Sequence, residues 1–193
     1  MSEQTSNRAS VARRWWRALQ PYRGDGSPNP TGDRAALAQL RRAADIKDIL
    51  VDEAVIELHR QLGFEGRSAD KTLPWVAATA SALAHVREDD RRRPARAVGR
   101  ASFEDKNFET AAMKPLRFRR LLAAREPDEV AREMRRLVQL AEGKLDVGTL
   151  ATAILAWPHP EWGDSVRTHW AYDYFAAGDA APSISTSSTE MHP

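Results

Sequence analysis

The sequence of 193 residues contains no cysteine. This absence excludes disulfides, thiolate nucleophiles and cysteine-ligated zinc. Apolar runs are short and interrupted, so no segment offers the roughly 20 apolar residues of a membrane-spanning helix. The first residues, from Met1 to Arg8, lack the apolar stretch of a secretory signal. We therefore expect a cytoplasmic protein without membrane association.

The sequence also lacks the common motifs of catalysis and cofactor binding. No pair of its five histidines has the His-x-x-x-His or His-Glu-x-x-His spacing of a metal site. No Gly-x-Gly-x-x-Gly or Walker-type loop is present to bind a nucleotide phosphate. We therefore expect a protein that is not an enzyme and that binds no cofactor and no metal.

Three aspartates are the exception to this absence of metal-site patterns. Asp45, Asp48 and Asp52 have roughly helical spacing and could in principle hold Mg²⁺ through carboxylate oxygens. Lys47 and Glu53 lie beside them, as on the solvated face of an ordinary helix. We favour the solvated face.

Basic residues are distributed unevenly along the chain. The whole sequence has 29 Lys+Arg and 27 Asp+Glu, whereas the segment 91–136 has 14 basic and 7 acidic residues. Of the basic residues, 24 are arginine and 5 are lysine. A GC-rich genome explains the arginine bias equally well, but it does not explain the clustering. Because guanidinium groups bind phosphate in bidentate fashion and stack on bases, the cluster indicates a nucleic-acid partner.

The sequence predicts an all-α fold. Strand signals are nearly absent, while apolar residues recur at helical spacing. We predict helices over 6–19, 33–44, 46–62, 73–88, 115–124, 128–142, 147–157 and 164–177. Proline and glycine make 20–32 a loop. We expect two small packed helical bundles, over 6–90 and 91–178, joined near 88–100 and followed by a disordered tail over 179–193.

The predicted helix over 128–142 separates apolar and basic residues onto opposite faces. Its apolar stripe contains Val130, Met134, Leu137, Val138 and Ala141. Its opposite side contains Arg132, Arg135 and Arg136. Three arginines without an interleaved acid on that side are unusual for a solvated helix face. We therefore include all three in a candidate phosphate-binding set.

The predicted helix over 115–124 repeats this arrangement. Its apolar side contains Phe118, Leu121 and Leu122. Arg119 and Arg120 point away from that side, and Arg117 flanks them. Antiparallel packing of the two helices would merge both arginine faces into a patch wide enough for a nucleic-acid backbone.

Five further arginines complete the candidate set. In the N-terminal half, Arg34 and Arg41 are seven residues apart on one side of a predicted helix, and Arg42 is adjacent. Arg100 and Arg125 lie within the basic segment. For each arginine alone a solvated surface position is the better interpretation, but for the whole set we favour phosphate binding.

The aromatic residues have two alternative interpretations. Trp15 and Trp16 lie among arginines and could stack on bases, although their helical spacing beside Val11 and Leu19 favours the core. A second group crowds the C-terminal end and is typical of either a bundle core or a protein-docking surface. It consists of Trp157, Trp162, Trp170, Tyr172, Tyr174 and Phe175.

An ordered series of short motifs resembles the CasB family, the small subunit of the type I-E CRISPR surveillance complex called Cascade. The motifs are DRA and LRRA within 33–43, VGRA (98–101), LRFRRLL (116–122), MRRLV (134–138), LD (145–146), LAW (155–157) and WAYDYF (170–175). Each motif alone is unspecific. Their order, spacing and total length carry the resemblance over roughly 10–177.

The resemblance implies a non-enzymatic helical subunit present as a pair of copies in Cascade. Its implied partners are the backbone and large subunits, the CRISPR RNA, and target DNA including the displaced single strand, which it would hold to stabilise the R-loop. The family's basic positions fall on Arg41, Arg42, Arg117, Arg135 and Arg136. The other candidate arginines come from the sequence itself.

Two other functions stay open on the sequence alone. A helical regulator that binds specific DNA sequences needs Asn or Gln among the arginines of a recognition helix, and Gln139 is the nearest such residue. A purely structural adaptor would dock through the Trp-rich C-terminal helix and leave the arginines solvated.

Overall fold

The computed structural model describes residues 2–64 and 69–176. The α-helices of these ranges are α1 (Ser2–Leu19), α2 (Arg34–Arg42), α3 (Glu53–Gln61), α4 (Ala69–Leu83), α5 (Pro94–Ala97), α6 (Pro115–Ala123), α7 (Pro127–Leu140), α8 (Val147–Ala156) and α9 (Trp162–Phe175). A 3₁₀-helix spans Ile46–Ile49, and two strands, β1 (Glu88–Asp89) and β2 (Lys144–Leu145), pair in parallel. The all-α prediction is confirmed. The predicted tail over 179–193 lies outside the described residues.

The single helix predicted over 46–62 is wrong. The chain instead forms the short 3₁₀-helix and then α3, and the three aspartates cap these two elements. The Asp45 carboxylate accepts from the Lys47 amide at 2.8 Å, and the Asp52 carboxylate accepts from the Ala54 amide at 2.9 Å. The Asp48 carboxylate accepts from the Asp45 amide at 3.2 Å. The three aspartates therefore act as helix caps, whereas the sequence alone also allowed them to be Mg²⁺ ligands.

The helix predicted over 73–88 ends five residues early, at Leu83. The amide of Arg87 then donates to the Gly143 carbonyl at 2.8 Å, and Glu88 pairs with Lys144 as the strands begin. A two-residue strand has no alternation of polar and apolar residues, so periodicity could not reveal it.

Helix α4 lies at the centre of the fold. Its residues from Val76 to Leu83 are all buried, and it packs against α3, α7, α8 and the 3₁₀-helix. Most of this buried run is alanine, serine or threonine, and small side chains let the surrounding helices approach closely. Buried residues from both predicted bundles belong to one contiguous apolar core, and the division into two bundles stays a prediction.

The tryptophans of α1 are core residues. Trp15 and Trp16 are buried, and their indole nitrogens donate to the carbonyls of Ala54 at 2.8 Å and Val86 at 3.2 Å. Burial with a satisfied indole N–H is the usual state of a core tryptophan. The core interpretation of this pair is confirmed, and base stacking on them is excluded.

The C-terminal aromatics divide between core and surface. Trp157, Trp170 and Tyr174 are buried, whereas Tyr172 is 75% exposed. The Tyr174 ring stacks on Phe118 with centroids 3.9 Å apart, and its hydroxyl donates to the Met113 carbonyl at 2.6 Å. Burial raises the pKa of Tyr174 to about 12. Helix α9 is therefore attached to the core through Tyr174.

An arginine on α1 fastens that helix to the N-terminus of α8. The Arg13 guanidinium contacts both carboxylate oxygens of Asp146, at 2.7 and 2.8 Å, and lies 3.6 Å from the Asp89 carboxylate. Asp146 also caps α8 by accepting from the Thr149 amide at 2.6 Å. A Cβ at Gly148 would lie 2.6 Å from Cζ of Arg13. Only glycine leaves space for the guanidinium there.

The structure also bears on membrane association. Within the described part of the chain, no helix has both the length and the apolar character needed to cross a bilayer.

The close approach of α5 to α9 generates a stability prediction. A Cβ at Gly99 would lie 2.5 Å from the Tyr174 carbonyl oxygen, which is backbone and cannot rotate away. We expect Gly99→Ala to lower the free energy of unfolding by about 1–3 kcal/mol, measured by thermal unfolding followed by circular dichroism. Gly24→Ala is the matched control, since no atom lies within 4 Å of its Cβ position. Equal melting temperatures for both variants would contradict the tight contact.

Candidate nucleic-acid interface

The C-terminal end of α4 holds an arginine from α2. Leu37 and Leu40 bury one side of α2, which leaves Arg41 in its last turn free to reach α4. Nε of Arg41 donates to the Ala84 carbonyl at 2.6 Å, directly after α4 ends. The last carbonyls of a helix lack intrahelical donors and carry partial negative charge, so they attract cations. Burial, and then repulsion from Arg87, lowers the pKa of Arg41 from its ordinary value.

The end of α2 holds a second arginine in the same way. Nη1 of Arg135, on α7, donates to the Ala43 carbonyl at 2.6 Å, and Nη2 donates to the Ala44 carbonyl at 3.0 Å. Both carbonyls follow the last turn of α2. Two helix ends therefore position two guanidinium groups with their remaining N–H donors available.

His85 lies between these two arginines. Its Nδ1 is 2.9 Å from the Ser81 carbonyl, an acceptor, so Nδ1 carries the proton of the neutral ring. Burial is the largest cause of a lowered His85 pKa, and the charges of Arg135 and Arg41 lower it further. His85 therefore contributes a neutral ring beside a strongly cationic surface.

Three open pockets adjoin along this surface because neighbouring pockets share an arginine. A pocket of about 970 Å³ between α1, the loop 20–32 and β1 shares Arg41 with a pocket of about 300 Å³ at His85. That pocket shares Arg132 with a third, of about 390 Å³, between α6 and α7. We call these three pockets the basic groove. Its arginines are Arg14, Arg17, Arg23, Arg41, Arg87, Arg120, Arg132, Arg135 and Arg136.

The acidic residues that line the α1 end of the groove already have partners. One Asp89 oxygen accepts from the Val147 amide at 3.0 Å, and the other lies 3.5 Å from the Arg17 guanidinium. Glu88 pairs with Lys144 at 3.2 Å. Neither carboxylate forms an ion pair with Arg14, Arg23 or Arg87. Asp25 lies in the same loop as Arg23, and hydrogen bonds from Ser27, followed by the charge of Arg23, lower the pKa of Asp25.

The acidic residues at the α7 end are also engaged. Glu133 pairs with Arg136 at 3.3 Å on the same helix, so the expectation that no acid accompanies the three α7 arginines is wrong. Glu129 accepts from the Arg125 amide at 3.3 Å. Within residues 2–64 and 69–176, several groove arginines have no hydrogen-bonded or ion-paired partner for their side chains. They are Arg14, Arg23, Arg87, Arg120 and Arg132. The groove therefore carries cationic charge that its own carboxylates do not neutralise.

The groove brings together five of the arginines proposed from the sequence. They are Arg41, Arg120, Arg132, Arg135 and Arg136. Arg120 on α6 and Arg132 on α7 line the same pocket, so the two predicted arginine faces meet at this pair. The five arginines lie on α2, α6 and α7, and the packing of these helices brings them together.

The remaining proposed arginines lie outside the groove lining. Arg34, Arg42, Arg117 and Arg119 are exposed. The Arg100 guanidinium donates to the Phe175 carbonyl at 3.1 Å and lies over the Phe103 and Phe108 rings, and Nη1 of Arg125 donates to the Leu122 carbonyl at 2.8 Å. Arg100 and Arg125 thus have structural contacts of their own. Nucleic-acid binding by all eleven proposed arginines stays a prediction.

Sequence reasoning missed four groove arginines and one histidine. Arg14 and Arg17 lie three residues apart on α1, opposite the buried Ala12, Trp16 and Leu19, and a helical wheel could have found them. Arg23 lies in the loop 20–32. His85 follows the end of α4, and Arg87 directly precedes the two-residue strand β1. No periodic signal exists for such positions.

No metal site emerges from the described residues. Within these ranges, no group of three or more histidine, aspartate or glutamate side chains is arranged to hold a metal ion.

The environment of His85 generates a prediction about pH. The folded protein lowers its pKa below the ordinary 6.5, so below that pH the unfolded chain binds more protons than the folded chain. Stability from the neutral ring is present above about pH 6.5 and declines as the pH falls below it. We expect the unfolding free energy of the wild type to fall more steeply on acidification than that of His85→Gln, measured by urea unfolding from pH 7.5 to 5. Equal pH dependence of the unfolding free energy in the wild type and the variant would contradict a lowered His85 pKa.

The comparison with protein families connects this surface to a known group. The family model described as CRISPR-associated protein Cse2 matches residues 36–175, which run through α2 to the end of α9. Comparisons with curated proteins and with solved structures found no match. The matched range covers well over half of the chain and includes the motifs of the CasB resemblance from LRRA (40–43) onward, while DRA (33–35) lies just before it. The chain therefore belongs to the Cse2 (CasB) family, whose members are subunits of the type I-E CRISPR complex Cascade.

Proposed function

We propose that this chain is a non-catalytic Cascade subunit that binds nucleic-acid backbone through the basic groove and stabilises the R-loop. The strand held there is target DNA, including the displaced single strand, and it is bound without sequence preference. The observation that carries the proposal is the run of nine arginines across three adjoining pockets whose linings contain four carboxylates, so cationic charge is in excess. Guanidinium groups of this kind bind phosphate in bidentate geometry and release counterions.

The energetics of R-loop formation support a backbone-binding role. The RNA–DNA duplex that forms is about as stable as the DNA duplex that it replaces, so contacts between protein and backbone can shift the balance. Guide pairing already reads the target sequence, and the displaced strand differs with every target. Arginines that contact phosphates serve such a strand better than side chains that read bases.

The same proposal includes the other partners that the family resemblance implies. The chain contacts the backbone and large subunits of Cascade and the CRISPR RNA, and it is present as a pair of copies in the cytoplasm. The exposed rings of Tyr172 and Phe175 on α9 provide apolar surface for contacts with these proteins.

One observation bears on the sequence-specific regulator. Gln139 lines the central pocket beside Arg132, Arg135 and Arg136, so the groove contains one amide of the type that reads bases. A base-reading helix usually presents several such side chains together. The binding experiment therefore includes unrelated duplex sequences.

Removing three arginines of the groove generates the central prediction. We expect Arg120→Ala/Arg132→Ala/Arg136→Ala to weaken binding of labelled single-stranded DNA uniformly across sequences. The slope of log affinity against log salt should fall by about one unit for each phosphate that the variant no longer binds. The measurement is fluorescence anisotropy over a salt series with the full chain. None of these arginines anchors a helix end, so the fold should survive.

A variant with the same change in net charge is the control. Lys47→Ala/Lys71→Ala/Lys106→Ala removes three exposed cations that line none of the groove pockets and belong to none of the proposed binding residues. It should retain wild-type affinity and salt slope. An equal loss of affinity in both variants would contradict the groove as the binding surface. A strong preference for one duplex sequence would favour the regulator, and the absence of DNA binding at low salt would favour the adaptor.

A further inference from the structure

We infer that the α1 end of the basic groove binds an unpaired base by stacking on Tyr22, in addition to binding phosphate. The inference rests on the proposed function and deepens it, because it names the form of nucleic acid that this part of the groove accepts. That form is a single strand with an accessible base. Tyr22 is then a specificity-determining residue of the site.

Tyr22 is an exposed aromatic residue beside the groove arginines. Its side chain is 59% exposed, and it lines the same pocket as Arg14, Arg23, Arg41 and Arg87. That pocket, of about 970 Å³, is the largest of the three that form the groove. The other two pockets contain no tyrosine, phenylalanine or tryptophan. A stacking platform and the neighbouring cations therefore coincide at this one end.

The backbone holds Tyr22 in a fixed position. The Asn29 amide donates to the Pro21 carbonyl at 2.8 Å, and the Arg23 amide donates to the Ser27 carbonyl at 2.8 Å, closing a tight loop around Tyr22. Gly26, with φ of +79°, provides the turn. The Asn29 side chain also donates to the Gln20 carbonyl at 2.9 Å and attaches the loop to the end of α1. An ordered aromatic loses little conformational entropy when a base stacks on it.

The charges around Tyr22 favour a nucleic-acid strand over other ligands with a flat ring. Arg14 and Arg87 have no hydrogen-bonded or ion-paired side-chain partner among the described residues, Arg23 interacts electrostatically with Asp25, and Asp89 is engaged by Arg17 and the Val147 amide. Nucleic-acid strands combine regularly spaced phosphates with flat bases, which is the pattern that proteins binding single strands recognise. In a duplex the bases are stacked inside the helix, so only an unpaired strand can use the tyrosine.

The test compares variants of the full chain on homopolymer single strands. Tyr22→Ala should weaken binding of labelled oligothymidylate by about 5- to 150-fold, the effect of removing one stacked base. The salt slope should stay unchanged, because no cation is removed. Tyr22→Phe should retain wild-type affinity, since the ring remains. Tyr172→Ala removes an exposed tyrosine that lines none of the groove pockets, and it should bind like the wild type.

An abasic oligonucleotide of equal length separates stacking from phosphate contact. On this strand Tyr22→Ala and the wild type should bind equally, because no base is present to stack. Oligouridylate is measured in parallel. A dependence on Tyr22 confined to oligothymidylate assigns the strand to DNA, one confined to oligouridylate assigns it to RNA, and either supports stacking.

The outcomes distinguish this inference from the proposed function. Equal binding of oligothymidylate and of oligouridylate by Tyr22→Ala and the wild type overturns the stacking inference, while loss of binding in the Arg120/Arg132/Arg136 variant would still support the groove. A Tyr22→Ala defect that persists on the abasic strand also overturns stacking. A wild-type chain that binds no oligonucleotide overturns both proposals.

Discussion

The fold depends on the burial of the second half of α4 on all sides. Its run from Val76 to Leu83 has no exposed residue, so its neighbours must cover it completely. Most of this run is alanine, serine or threonine, and these small side chains let α3, α7 and α8 pack close to the helix. The end of such a helix requires partners for carbonyls that have no donor in the helix. Arg41 provides one of them by donating to Ala84.

The same requirement at helix ends organises the candidate site. Arg41 satisfies a carbonyl after α4, and Arg135 satisfies two carbonyls after α2, so residues that complete the fold also place positive charge on the surface. Helix C-termini stabilise cations through their dipoles. This stabilisation permits guanidinium groups to gather around His85 despite their mutual repulsion. For a Cse2-family subunit of Cascade, such a surface is suited to the phosphates of a strand of any sequence.

The contact between α1 and α8 determines how much of that charge stays free. Arg13 contacts Asp146 and lies near Asp89, and both carboxylates accept amide hydrogens at the start of α8. Asp89 lines the groove but is engaged by this cluster. Its charge is therefore shared with the α8 N-terminus and with Arg13. Gly148 is the residue that makes the arrangement sterically feasible.

The sequence by itself determined the helical class, the buried stripe of α7 with its opposing arginines, and the core position of Trp15 and Trp16, because each is a matter of periodicity within one helix. Tertiary structure decided which of these faces meet. It joined Arg120 to Arg132, brought Arg23 and Arg87 into a groove with Arg41, and turned three aspartates into helix caps. Periodicity reports which side of a helix is apolar, but it carries no information on which helix packs there. The packing of the helices therefore decides which charged residues become neighbours, and many of these residues are far apart in the chain.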